Sequence, residues 1–243
     1  MPTWNEFAWA GFIYGSLGGD RHYQALMLHR TFLPELRANP NGVSDADVQQ
    51  YLIKGYLNAW KTHVHNSPQS AFDIKRSITD MLPWLSALSA LSIKTVIFRN
   101  VLTVNGQQCT VAEAVESCYQ ILRATGHNIA ATATGKILHV LNPELFVMLD
   151  KLILDHFRGA NGIGDSPQGY RAFLQQMNRD AVAVQQSFST EALTPSPQPG
   201  GTPEAYLSQR MNYNPPKTIA KYLDEFYWVT VTNGVSVPPQ WHP

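Results

Sequence analysis

The segment that opens at Thr110 limits the fold more than any other. Glu113 follows Thr110 at the spacing where a threonine hydroxyl and a glutamate carboxylate satisfy each other's backbone N–H at a helix start. Behind this capping signal Val111, Ala114, Val115, Cys118, Ile121 and Leu122 recur at helical intervals until Gly126. A helix with one apolar stripe has to bury it, so the rest of the chain must supply facing elements.

Most of the chain repeats that pattern. Residues 4–14 and 21–36 read as two aromatic-rich N-terminal helices within 1–40, separated by Gly15, Gly18 and Gly19 and closed by Pro34 and Pro40, forming a lid. Ser44 and Asp47 open a helix through Trp60, and Ser67-Pro68 opens another that Pro83 is expected to interrupt. Only 93–104 has strand-like composition, and Asn105-Gly106 is a hairpin-turn signal. After the Gly126-His127-Asn128 turn come a helix over 136–141, a break at Asn142-Pro143 and a helix reaching Arg158. Ser166-Pro167 starts a helix to about Ser187, and 190–202 is a mobile Pro/Gly loop. Residues 203–212 and 216–227 complete the pattern. The predicted fold class is mainly α: a single multi-helix domain over 1–243 with at most one small β-hairpin.

Composition supports one core. The 243 residues are 44% apolar and 11% aromatic. No run approaches the roughly 18–20 apolar residues of a membrane helix, and Asn5 and Glu6 beside Trp4 break the order of a signal peptide; the expectation is a cytoplasmic protein with no membrane partner. Cys109 and Cys118 lack metal-ligand spacing and read as reduced structural thiols. The 18 basic and 18 acidic residues leave no global field for nucleic acid. Locally, however, Lys54, Lys61, Lys75, Arg76, Lys94 and Arg99 face only Asp73 and Asp80 between Tyr51 and Cys109. These six are candidate phosphate contacts, against the plainer reading of a solvated basic face.

The informative stretch is 126–159. Asp150 follows five apolar residues, Leu145 to Leu149, and precedes Leu152, Ile153 and Leu154, where an unpaired carboxylate would be costly. It either caps the helix that starts at Lys151 or points into a cleft with Lys136. A lysine, a short apolar helix, Asn142-Pro143-Glu144-Leu145-Phe146 and then an aspartate resemble the helix-hairpin-helix DNA glycosylases, in particular their 8-oxoguanine-glycosylase-like branch. The chain departs from that pattern in replacing the Gly-rich hairpin with residues 128–135 and in a shorter Lys-to-Asp interval. The resemblance implies a hairpin on the DNA backbone, Lys136 as a covalent nucleophile and Asp150 at the active site.

Those residue types suit N-glycosidic cleavage. A carboxylate stabilises an oxocarbenium-like sugar and orients water, and a desolvated amine attacks the sugar carbon to form a Schiff base. The expectation is a DNA glycosylase, monomeric, without cofactor or metal, that excises a damaged or modified base in repair or in defence against phage with modified DNA. Trp4, Trp9, Tyr14, Trp60 and Trp84 are candidates for a base pocket, each also explicable as core, and His139, three residues after Lys136, is a candidate base or phosphate contact. His63-Val-His65 lacks further spaced ligands for a metal. No Walker motif or Gly-x-Ser-x-Gly elbow occurs, and the absence of a His-Asp dipeptide disfavours a helical phosphohydrolase. The alternative is a non-catalytic helical module that binds nucleic acid or protein, in which Lys136 and Asp150 are structural.

Overall fold

The computed structural model describes residues 1–17, 20–159, 162–190 and 201–241. The capping box at Thr110 forms as its spacing requires. Thr110 Oγ1 accepts from the Glu113 N–H at 3.2 Å, and the Glu113 carboxylate accepts from the Thr110 N–H at 2.6 Å. The helix that follows, α6 (Val111–Ala124), buries Val111, Ala114, Val115, Cys118, Tyr119 and Leu122. Two long helices, α5 (Pro68–Leu88) and α9 (Pro167–Phe188), are its main neighbours.

The fold is mainly helical. Before α5 come α1 (Trp4–Ser16), α2 (Arg21–Met27), α3 (Phe32–Ala38) and a single turn, α4 (Asp45–Asp47), which runs straight into a π-helical segment, Val48–Leu57, and a 3₁₀ turn, Asn58–Trp60. β1 (Val101–Val104) and β2 (Gln107–Thr110) form an antiparallel hairpin with Val101 opposite Thr110. Asn105 and Gly106 both adopt positive φ, the geometry a two-residue hairpin turn demands. After α6 come α7 (Ala131–Leu141), α8 (Lys151–Phe157), α9, α10 (Pro203–Arg210) and α11 (Ile219–Tyr227), and α11 passes into a second π-helical segment, Trp228–Thr232. Among the described residues no helix is long and apolar enough to cross a membrane.

Several elements differ from their expected form for identifiable reasons. The predicted helix over 21–36 is two helices, because Pro34 does not end one but sits in the first turn of α3, where a missing N–H costs nothing. Pro83 does not interrupt α5: the helix continues through it and buries Leu85 and Leu88, packing that outweighs the lost hydrogen bond. Gly15 lies inside α1, and Gly18 and Gly19 fall outside the described residues, as do 191–200 of the predicted loop. The N-terminal helices are not a lid. α1 contacts α9 and α11 and buries Trp4, Phe7 and Tyr14 almost completely.

Trp4 shows how that core is held. Its ring meets Phe188 edge-on at 4.7 Å and Tyr206 at 5.6 Å, joining α1 to α9 and α10. Trp4→Ala should therefore cost about 3–5 kcal/mol in urea denaturation. Trp84→Ala, at a half-exposed ring on α5, should cost about 1 kcal/mol or less. Equal losses at the two sites would contradict this placement.

Candidate active site

α7 is buried almost throughout, from Ala133 to Leu141 without interruption. The chain leaves it at Asn142, turns through Pro143 and runs back, extended, to Asp150. Gly135 is what allows the return to pass so close: a Cβ there would stand 3.0 Å from the Leu149 N and 3.4 Å from the Leu149 Cβ. The next residue on the helix is Lys136 and the next on the returning segment is Asp150. The two sequence-predicted catalytic residues thus each stand one position beyond the contact at Gly135, on adjoining segments.

Asp150 caps α8. Its Oδ1 accepts from the Ile153 N–H at 2.7 Å, and its Oδ2 accepts from the Thr232 hydroxyl at 2.8 Å. The carboxylate is half-buried, and each oxygen keeps a lone pair beyond these two bonds.

Lys136 has a different environment. The residue is only 6% exposed, yet among the described residues no carboxylate lies within ion-pair distance of Nζ. The amine instead rests 4.5 Å from the Trp60 ring centroid and 3.9 Å from the Met148 sulfur, and Met148 is held by the Tyr56 hydroxyl at 3.1 Å. Burial pulls the Lys136 pKa below that of an ordinary lysine. Asp224 opposes the shift, Lys221 adds to it and Asp150 opposes it at lesser strength. Trp60 is half-buried, and its indole N–H is inaccessible to solvent with no acceptor among the described residues.

Both elements that complete this neighbourhood are irregular. The π-helical run Val48–Leu57 and its 3₁₀ extension deliver Trp60, and the π-helical run Trp228–Thr232 delivers Thr232. Such wide turns are uncommon and gather at functional sites.

The other expected site residues lie variously near and far. Trp9 and Tyr14 are buried in a small aromatic cluster against which Trp60 packs. Trp4 is in the main core, and Trp84 lines a shallow surface cavity with Ser117, Gln120 and Ile121. His139 is fully buried, with Nδ1 2.6 Å from the Phe146 carbonyl oxygen, to which it donates, and Nε2 3.2 Å from the Tyr23 hydroxyl. Of the basic candidates, Lys75 pairs with Asp45, Arg76 with Asp73 and Lys94 with Glu204. Lys54, Lys61 and Arg99 are exposed.

One charged cluster was not foreseen. Lys217 contacts Asp20 and, at 2.7 Å, Glu225, and Lys221 lies 3.0 Å from Asp224, 3.2 Å from Glu225 and 3.6 Å from Asp20. All five side chains are nearly inaccessible. Burial works against the Lys221 ammonium, but Tyr14, Glu225, Asp224 and Asp20 outweigh it and hold its pKa high. Asp20 precedes α2 without capping it, because its carboxylate is committed to the lysines. A sign of this exists in the sequence: Lys221, Asp224 and Glu225 share one face of α11 at helical spacing.

Compared with known protein families, curated proteins and solved structures, the chain has no match.

The two kinds of buried lysine should respond oppositely to substitution. Lys221→Met leaves three buried carboxylates to one cation and should cost about 3–5 kcal/mol. Lys136→Met removes a dehydrated charge without an ion-pair partner and should raise stability by about 1–2 kcal/mol at neutral pH, where the unfolded chain's lysine is protonated. Urea denaturation of both variants checks the contrast, and a large loss in Lys136→Met would contradict it.

His139 generates a pH dependence. Burial, opposed by the bond to the Phe146 carbonyl, pushes its imidazole from 6.5 down to about 4. Between those values the unfolded state binds the extra proton, so this contribution is intact above the unfolded pKa and is lost as pH falls towards the folded one. The loss amounts to about 3 kcal/mol. His139→Gln should lack this part of the slope when denaturation is followed over that range; an undiminished slope would assign it to other groups.

Proposed function

We propose that the chain is a DNA N-glycosylase acting on a damaged or modified base turned out of the duplex. The observation that carries this reading is Lys136: a buried amine without an ion-pair partner among the described residues, resting on an indole face. Keeping a lysine dehydrated and unpaired is costly, and its chemical return is an amine that gives up its proton more readily than an ordinary lysine.

In this reading Asp150 faces the sugar of the target nucleotide. Its negative charge stabilises the positive charge that develops at C1′ as the glycosidic bond breaks, and its remaining lone pairs orient the nucleophile. Thr232 fixes the carboxylate. Deprotonated Lys136 Nζ attacks C1′, the base departs with the glycosidic electron pair and takes up one of the two Nζ protons, and the other passes to O4′ as the C1′–O4′ bond breaks, leaving the ring-opened sugar on the enzyme as a Schiff base until water or elimination releases it. The half-buried Trp60 supplies a stacking face for the extruded base.

The surface around the site suits a phosphate backbone. The Ala130 N-cap makes no side-chain bond, so the first-turn amides of α7 carry no cap beside the exposed Gly126, Asn128 and Ala130. Lys61 adjoins Trp60 and Lys151 adjoins Asp150, both exposed. Removal of a modified base fits repair and defence against phage with modified DNA alike.

A second reading, a non-catalytic helical module, draws on the fact that both Asp150 oxygens are engaged by protein donors. Abasic-site formation on oligonucleotides and phage genomic DNAs carrying damaged or modified bases separates the two. Wild-type protein should release base from at least one substrate. Asp150→Asn, which still caps α8, should be slower by about 100-fold or more, and borohydride should trap a DNA adduct that Lys136→Ala abolishes. DNA binding with every base retained would instead support the module.

A further inference from the structure

At the C-terminal end of α7, away from the hairpin turn, lies a groove of ≈ 570 Å³. Arg37 from α3 and Glu144 from the segment after α7 both line it, and among the described residues neither makes an ion pair with the other or with any other side chain. Arg37 donates through Nε to the Val140 carbonyl at 2.7 Å, and its Nη2 touches only the Met27 sulfur, at 3.9 Å. Most of its donor fork is therefore unused. The Glu144 carboxylate has no hydrogen-bond donor among the described residues, and the nearby Lys94 is already tied to Glu204. Arg37 is half-buried and burial draws its pKa down, whereas Glu144 is exposed at the edge of the groove, where the burial of its carboxyl raises its pKa and Lys94 opposes the shift.

Between the two charges the wall is aliphatic, formed by Leu82, Leu85, Leu141 and Pro143, with the Ser86 and Ser89 hydroxyls at the rim. No aromatic ring lines the groove, so it offers a nucleobase nothing to stack on and offers an aliphatic body a matching surface. Its volume is in the range of small-ligand sites.

We propose that this groove is a second binding site, for a short zwitterionic peptide with aliphatic side chains, its carboxylate on Arg37 and its ammonium on Glu144. Each contact is a charge-assisted hydrogen bond, and binding gives the half-buried Arg37 the counter-charge it lacks among the described residues. The site is independent of the chemistry assigned to Lys136.

The test titrates trileucine, its N-acetyl form and its C-terminal amide into ¹⁵N-labelled protein, following the backbone amides of Ser86, Ser89 and Glu144. Trileucine should give saturable shifts at these amides, and each blocked peptide should bind about tenfold more weakly or worse. Glu144→Gln should erase the penalty for acetylation while leaving that for amidation. Ser86→Trp, which fills the groove from an exposed position, should abolish binding with the fold intact. Absence of saturable shifts with trileucine, or equal binding of all three peptides, overturns the proposal.

Discussion

The close passage of the chain over Gly135 is the constraint on which the rest of the site depends. A helix buried on nearly every side and an extended return segment can lie this near each other only where the helix carries no side chain, and the missing Cβ falls at the residue before Lys136. From that contact follow the burial of Met148 and Leu149, the emergence of Asp150 at the start of α8, and the position of the Lys136 amine between Met148 and Trp60. Any larger residue at 135 would push the two catalytic candidates apart before it affected the outer helices.

Charge in the interior is handled in two ways. Where α11 meets the segment before α2, two lysines pair with three carboxylates, tying the C-terminal part of the chain to the N-terminal part. At Lys136 no such pairing occurs among the described residues, and the ammonium lies against an indole face, where cation–π attraction offsets only part of the desolvation cost. The contrast lies within one molecule and one interior, so burial alone does not account for it. A structural lysine is paired; the unpaired one is the candidate for chemistry.

Much of the local structure was legible because its causes are local. The Thr110 and Glu113 capping box, the Asn105-Gly106 turn and the Asp150 cap each involve residues a few positions apart. Helix continuity through Pro83 was not, since the packing of Leu85 and Leu88 decides it from outside the segment. The two π-helical runs were also invisible: Val48, Leu52, Ile53, Tyr56 and Leu57 read equally well with the ordinary helical period. For the site, Lys136 and Asp150 stood out as charges in apolar surroundings. Thr232 and the pairing of Asp20 with Lys217 did not, because the partners are far apart in the sequence and carry no local pattern.

Lys136 is a dehydrated amine without a counter-ion among the described residues. Its Nζ can be followed by NMR across a pH titration of the free protein, with the exposed Lys54 and Lys61 of the same chain as internal references. The structure predicts that Lys136 deprotonates at a lower pH than either. Titration together with the exposed lysines, or above them, would mean that the amine is solvated or paired and would remove the basis for a nucleophilic role.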